Sequence, residues 1–294
     1  MYKDLSDILI CPECKGKLKL SINKEENGEV IDGKLCCDNN HNWAIKEGVI
    51  NFGSKEQDLS NNWEEMFIQN GYEGLDKKIL DSTPENMIRI NEMTKDFIIN
   101  RINNHENKVI LDIATGRGML LTELARKITV DAQVVCADLS FEVLKYDRLK
   151  VKKINPNLKI NYIACDATNL PIKENSIDLA VSFHGIANML DKIPLGVVEA
   201  KRVLKEEKSL LNCGTNIREN SQGYKAMKEW FNSQEIYEAE KVFTNLGFKN
   251  VHEAASFKNV ELITIAEDNG QKCDTDLIPY EGEWFSVVVA ECKK

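Results

Sequence analysis

The chain has 294 residues, 43% of them hydrophobic and 29% charged, enough to bury a substantial core in one large domain with a small one, or in two domains. A formal net charge of -9 opposes any affinity built on neutralising phosphates, and no run approaches the roughly 20 apolar residues of a membrane span. The first residues, with charges at Lys3, Asp4 and Asp7, match neither a secretory signal nor an export leader. A cytoplasmic protein is expected, whose nine cysteines are thiols or metal ligands rather than disulfides.

Cys11-Pro-Glu-Cys14 is a C-x2-C pair, answered some twenty residues later by Cys36, Cys37 and His41. Two close pairs on separate turns can close a tetrahedron around zinc. Between them LKLSI and EVI alternate, with turn signals at Glu25 to Gly28 and at Asp32-Gly33, which suits a small β-ribbon. Neighbouring side chains on a strand point to opposite faces, so one of the two adjacent cysteines is excluded; sterics alone allow either C-x3-H from Cys37 or C-x4-H from Cys36. CPECKGKL followed by CDNNHNWAIKEGVINF resembles the zinc ribbon of bacterial 23S ribosomal RNA guanine methyltransferases. That resemblance implies Cys11, Cys14, Cys37 and His41 as ligands of a closed, structural zinc site, with Cys36 left to packing and Trp43 seating the ribbon.

A polar bridge, GSKEQDLSNN from Gly53, leads into a helix carrying Trp63, Met66 and Phe67. A second helix is predicted from Thr83-Pro84-Glu85, read as an N-cap followed by proline at the first helical position. Its apolar positions Met87, Ile90, Phe97, Ile98 and Ile102 recur at helical spacing. Further on, the basic run KYDRLKVKK, Lys145 to Lys153, is expected on a surface helix as a solvated face.

From Lys108 the pattern changes to short apolar runs, KVILDIA, QVVCAD, KINYIAC, IDLAVSF and SLLNCG, separated mostly by helical segments. This alternation predicts an α/β fold with a doubly wound, parallel sheet, whose ligands bind at the carboxyl ends of the strands. The first run closes on Asp112 and turns through Ala114-Thr115-Gly116-Arg117-Gly118, where glycines permit close backbone approach. A nicotinamide fingerprint wants glycines at 114, 116 and 119; these positions hold Ala, Gly and Met. Asp112 suits a cofactor with a cationic amino-acid end better than a pyrophosphate. Asp138 ends the second strand where a carboxylate can accept ribose hydroxyls, and Asp166 follows the third where one can accept from an adenine amino group.

DIATGRG, CADLS, CDATNLP, NSIDLAVSF and AKRVLKEEKSLLNCG together resemble the class I S-adenosylmethionine-dependent methyltransferases. The resemblance implies a mostly parallel, seven-stranded sheet and S-adenosylmethionine as cofactor, with Asp112, Ala114, Thr115, Gly116 and Gly118 around its methionine end. It places Asp138 on ribose, Asp166 on adenine, Leu139 and Ala167 beside the ring, and Ser182, at the fourth strand's end, among the cofactor-binding residues. LGFKNVHEAASF and WFSVVVAEC would form the last antiparallel pair of strands. Two departures are Ala114, for the usual first glycine, and KEEKS, for the glycines usual before the fifth strand.

Methyl transfer from a sulfonium is an in-line displacement that needs orientation more than acid-base help. His184, after the fourth strand, is the candidate proton acceptor, or else it lines the pocket; His105 and His252 have no supporting neighbours. Cys136, Cys165, Cys213 and Cys292 lie in apolar runs as core residues, and Cys273 in a polar one. Substrate walls are expected from the Trp63 to Tyr72 segment, from TNIRENSQGYKAMKEWF and from a 257 to 284 connection, with Trp63, Tyr72, Tyr224 and Trp230 either stacking on a planar substrate or packing in the core. The division expected is 1–52 zinc ribbon, 53–107 helical linker and cap, and 108–294 cofactor-binding domain. Residues 1–52 carry seven Lys and no Arg against nine Asp and Glu, which favours a small-molecule substrate over RNA. A ribosomal RNA guanine methyltransferase, or a non-catalytic cofactor-binding adaptor whose ribbon docks a partner, are the alternatives. No membrane contact is expected, and nothing in the sequence sets an oligomeric state.

Overall fold

In the computed structural model, residues 1–53, 62–104, 106–271 and 281–294 are described. His105 and Cys273 lie outside the described residues, as does most of the polar bridge.

The chain opens with a 3-10 turn, Lys3–Asp7, and the knuckle turn around Cys11 to Gly16. The hairpin of β1 (Leu18–Glu26) and β2 (Glu29–Cys37) follows. It reverses at Asn27-Gly28, with φ of +50° and +79°, the pair of positive values that matches the right-handed twist of the flanking strands. β3 (Asn42–Lys46) and β4 (Val49–Asn51) are joined by the equivalent turn at Glu47-Gly48. Three helices come next: α1 (Asn62–Asn70), α2 (Tyr72–Ser82) and α3 (Glu85–Asn103). Met87, Ile90, Ile98 and Ile102 are buried along α3 as their spacing predicts. The expected capping is corrected: Pro84, not Thr83, holds the N-cap position, because the Thr83 hydroxyl donates to Ile79 O at 2.7 Å and closes α2 instead.

The alternating half runs β5 (Val109–Ile113), α4 (Met119–Lys127), β6 (Gln133–Asp138), α5 (Phe141–Ile154), β7 (Ile160–Ala164), β8 (Ile177–Phe183), α6 (Ile193–Val203) and β9 (Leu204–Ile217). It ends with α7 (Gln222–Ser233), α8 (Asn245–Ala254), β10 (Lys258–Asn269) and β11 (Trp284–Lys293). The segment LGFKNVHEA, expected to be a strand, is therefore α8. Thr244 caps it by accepting from Gly247 N at 3.1 Å, and Phe248, Val251 and His252 are buried at helical rather than strand spacing. Half of the expected 257 to 284 connection is β10, paired antiparallel with β11.

The sheet order is β1-β2-β3-β4-β7-β6-β5-β8-β9-β11-β10. β5 to β11 form the seven strands expected, all running the same way except β11, which is antiparallel to both β9 and β10. The sheet does not stop there. β4 pairs in parallel with β7, Ile50 opposite Ile163, so the ribbon extends the same sheet to 11 strands. An exposed β7 edge would present unpaired backbone groups; covering it with β4 satisfies them. Ribbon residues Leu35, Trp43 and Ile45 share one apolar core with Ile163, Leu170 and Ile172.

The basic run on α5 is not a solvated face. Arg148 binds buried Glu29 of β2 through Nε at 2.8 Å and Nη2 at 2.9 Å, with Lys152 on the same carboxylate. Lys145 pairs with Glu47 at 2.9 Å and Lys150 lies 3.5 Å from Asp76 of α2. These cations tie the ribbon and α2 to the sheet.

Candidate active site and metal knuckle

β5 lies between β6 and β8, with the chain winding outward on either side, so its carboxyl end is the crossing point where doubly wound sheets bind ligands. Ala114, Gly116 and Gly118 take φ of +53°, +55° and +69°. This left-handed path is inexpensive for glycine and strained for Ala114. The turn is held from below: Thr115 Oγ1 donates to Asp112, Thr115 N donates to Ala137 O at 3.1 Å, and Gly116 N donates to Asp138 Oδ2 at 2.7 Å. Asp112 is 2% exposed. Burial raises its pKa to about 7; the Thr115 hydrogen bond pulls it down by less, and the nearby Asp138 charge adds a smaller rise.

Asp138 Oδ1 accepts from Ser140 N at 3.2 Å, which starts α5, while Cys165 N donates to Asp138 O at 2.8 Å. Asp166 Oδ1 accepts from Thr168 N and Oγ1 at 2.8 and 2.7 Å. The three carboxylates thus stand at the carboxyl ends of the neighbouring strands β5, β6 and β7. Ala167 is buried beside Asp166, and Leu139 is 37% exposed. Ser182 is buried and spends its hydroxyl inside the fold, donating to Ile113 O at 3.0 Å and accepting from Ile186 N at 2.9 Å.

His184, half-buried, follows β8 at φ +59°. Its Nε2 lies 3.4 Å from Cys213 Sγ, its ring stands edge-on to Phe183, and desolvation lowers its pKa to about 4. At neutral pH it is an uncharged imidazole. His252 is a core residue, with Nδ1 on Phe248 O at 2.7 Å and Nε2 on Asn212 at 3.0 Å. Cys136, Cys165, Cys213 and Cys292 are buried as expected.

Sequence reasoning missed Gly185. A Cβ there would sit 2.3 Å from Ala114 O and 2.6 Å from Ile113 O, so only glycine lets the β8 end close on the β5 turn; its signal was the lone glycine after FH. It also missed how α1 and α2 lie over the turn. The Arg117 guanidinium packs on Trp63 at 5.7 Å and pairs with Asp76 at 3.2 Å, Tyr146 donates to Asp76 at 2.6 Å, and Ser140 Oγ donates to Glu64 at 2.6 Å. Tyr72 stacks on Tyr146 at 4.7 Å and stays 38% exposed. Trp230 meets Phe231 edge-on, and Tyr224 OH lies 3.5 Å from Glu240.

At the ribbon, the ligand atoms of Cys11, Cys14, Cys37 and His41 all lie within 4.8 Å of one another, the one such His, Cys, Asp or Glu group among the described residues. Cys14 Sγ is 3.6 Å from Cys37 Sγ, and His41 Nδ1 is 3.4 Å from the sulfurs of both Cys11 and Cys37. A tetrahedral zinc with Zn–S near 2.3 Å has ligand edges of roughly 3.8 Å, so this spacing fits. Cys36 points away and donates to Asn42 Oδ1 at 2.8 Å.

Sheet order, left-handed turn and bordering carboxylates define the Rossmann-like methyltransferase fold. The same fold is found in a solved S-adenosylmethionine-dependent methyltransferase from Methanosarcina mazei, at 16% identity and TM-score 0.51 over 66% of this chain and 96% of that one. The chain belongs to the ubiE/COQ5 methyltransferase family, whose model matches residues 85–256. Relatives include a demethylmenaquinone methyltransferase of Porphyromonas gingivalis, 35% identical over 102 residues, covering 35% of this chain and 41% of the relative. A 2-phytyl-1,4-naphthoquinone methyltransferase of Nostoc sp. is 29% identical over 121 residues, 41% of this chain and 52% of the relative. The chain thus spans about half the length of these relatives or less. No described helix is long and apolar enough to cross a membrane.

Proposed function

We propose that the protein transfers a methyl group from S-adenosylmethionine to a small, planar, electron-rich acceptor of the hydroquinone or phenol class. The observation that carries the reading is the turn from Ala114 to Gly118, left-handed at three positions and tied to Asp112 and Asp138. The bound cofactor would supply an electrophilic methyl on a sulfonium.

The chain's own residues then have distinct tasks. The turn, with Ala114, Thr115, Gly116 and Gly118, brings backbone close to the methionine end. Asp112 orders Thr115 from beneath and gains charge when a cation lies above it. Asp138 would share its carboxylate between the Gly116 amide and ribose hydroxyls. Asp166 keeps Oδ1 for Thr168, and Oδ2, which has no hydrogen bond among the described residues, is its group for an adenine amine. Leu139 and Ala167 flank the ring, and Ser182 positions the β8 end. Neutral His184 accepts a proton from the acceptor, or holds it, at Nδ1 or Nε2. Residues 53–107 act as the cap and 108–294 as the cofactor domain, with residues 1–52 as a zinc ribbon held by Cys11, Cys14, Cys37 and His41 and closed to substrate. The quinone names of the relatives support the acceptor class.

The test is incubation with methyl-labelled S-adenosylmethionine and, in parallel, a demethylated naphthoquinol, a small-molecule extract and bulk RNA. Label in the quinol or the extract is expected. Label in RNA alone would refute the acceptor class, and no cofactor binding at high micromolar concentration would refute the enzyme.

A further inference from the structure

The knuckle turn and the Asp166 loop are in direct contact. Lys15 Nζ donates to Asn169 Oδ1, and Asn169 Nδ2 donates to Pro12 O at 3.4 Å. Asn169 N in turn donates to Asp166 O at 3.0 Å. Beyond Asn169 the N-terminal strand segment continues the contact: Ile10 N donates to Pro171 O at 3.0 Å, and Lys173 N donates to Ile8 O at 2.8 Å. The other flank of this loop is held by α6, where Glu199 accepts from Leu170 N at 3.0 Å and Arg202 donates to Ile172 O at 2.8 Å. α6 therefore anchors the far end of the loop, and the side chain of Asn169, next to the Asp166 turn, rests on the knuckle.

The knuckle is held by few contacts of its own. Lys15 N donates to Cys11 O at 2.8 Å and Cys11 N to Gly16 O at 2.9 Å, while Lys15 sits at φ +57°. Without a metal the four ligand groups offer one another only weak S–H contacts; a tetrahedral ion would lock all four and with them the carbonyl of Pro12.

We propose that the ribbon is a brace for cofactor binding, and that metal occupancy at Cys11, Cys14, Cys37 and His41 is coupled to S-adenosylmethionine affinity through Asn169 as a positioning residue. The proposal rests on the cofactor and metal readings above. Coupling of this kind is reciprocal: the metal strengthens cofactor binding by the factor by which the cofactor strengthens metal binding. The ribbon then serves the chemistry by setting the pose of Asp166.

Calorimetric titration of S-adenosylmethionine into zinc-loaded and chelator-stripped protein measures one side of the cycle, and competition for zinc by a chromogenic chelator, with and without cofactor, measures the other. Stripping is expected to raise the cofactor Kd about tenfold, with an equal change in zinc Kd. In Asn169→Ala, one equivalent of zinc is retained, the cofactor Kd rises towards the stripped value, and stripping then changes it less than twofold. A merely structural loss would leave that zinc dependence intact. Where stripped protein unfolds, zinc-loaded Asn169→Ala and Lys15→Ala decide alone. Equal Kd values within twofold for loaded and stripped wild type, or unchanged affinity in both variants, overturn the brace. Loaded protein that binds no cofactor overturns it together with the cofactor reading, and fresh protein without metal overturns it together with the metal reading.

Discussion

Replacing Asp112 by asparagine removes a charge while keeping the shape and the acceptor for Thr115 Oγ1. The folded carboxyl has a pKa near 7, raised from 3.8 chiefly by burial. The folded chain therefore holds a proton that the unfolded chain has released, and this group's contribution is fully present below about pH 4 and lost as pH rises to about 7. Across the measurable range from pH 5 to 8 some two pKa units at about 1.4 kcal/mol each give a loss of about 3 kcal/mol, an upper figure because the buried site relaxes. Asp112→Asn is spared this loss. Its stability relative to wild type should climb by up to about 3 kcal/mol from pH 5 to pH 8, read from urea unfolding at constant ionic strength. Other buried carboxyls, Asp147 behind Gly118 among them, tilt both proteins alike, so the difference between the two is the observable. A flat difference would refute the assignment. A cationic cofactor end above Asp112 should also expel its proton, so wild type releases protons on binding at pH 7 and the variant releases fewer, as measured by calorimetry in buffers of different ionisation enthalpy.

Gly185→Ala forces a Cβ against the backbone oxygens of Ile113 and Ala114. Overpacking of this kind costs about 1–3 kcal/mol, and the denaturation midpoint should fall while cofactor affinity weakens with it. His184→Ala should leave cofactor affinity within about twofold and slow turnover roughly 100-fold. With a pKa near 4, His184 is deprotonated above that pH, so it places no inflection between pH 6 and 7 in the wild-type rate profile; equal loss of binding and turnover would mark it as structural. Glu29→Ala strands Arg148 in a nearly closed site, and removal of one partner of a buried pair costs about 3–5 kcal/mol, measured by urea unfolding.

The strand runs, the glycine turn and the three carboxylates were legible because each is a local pattern: apolar runs of strand length, a turn that needs positive φ, and an acid within two residues of a strand's end. The cluster of Cys11, Cys14, Cys37 and His41 was legible for the same reason, since C-x2-C and C-x3-H spacings are written in neighbouring residues. LGFKNVHEA was misread because a stretch of nine residues is too short to separate the two periods, and the Thr244 cap and packing of Phe248 and His252 decided for helix. The basic run on α5 read as solvated because its partners, Glu29, Glu47 and Asp76, lie 74 to 123 residues away in the chain.

The sequence by itself determined the fold class, the glycine turn after β5 and the two close pairs of candidate metal ligands, since each depends on residues close together in the chain. Only the tertiary structure decided that the ribbon is the continuation of the main sheet, that α1 and α2 lie over the glycine turn, that Gly185 must be glycine and that Asn169 links the knuckle to Asp166. The physical reason is that these depend on which edge strand is left unpaired and which distant surfaces meet over it, and a strand edge carries no partner's name in its own residues.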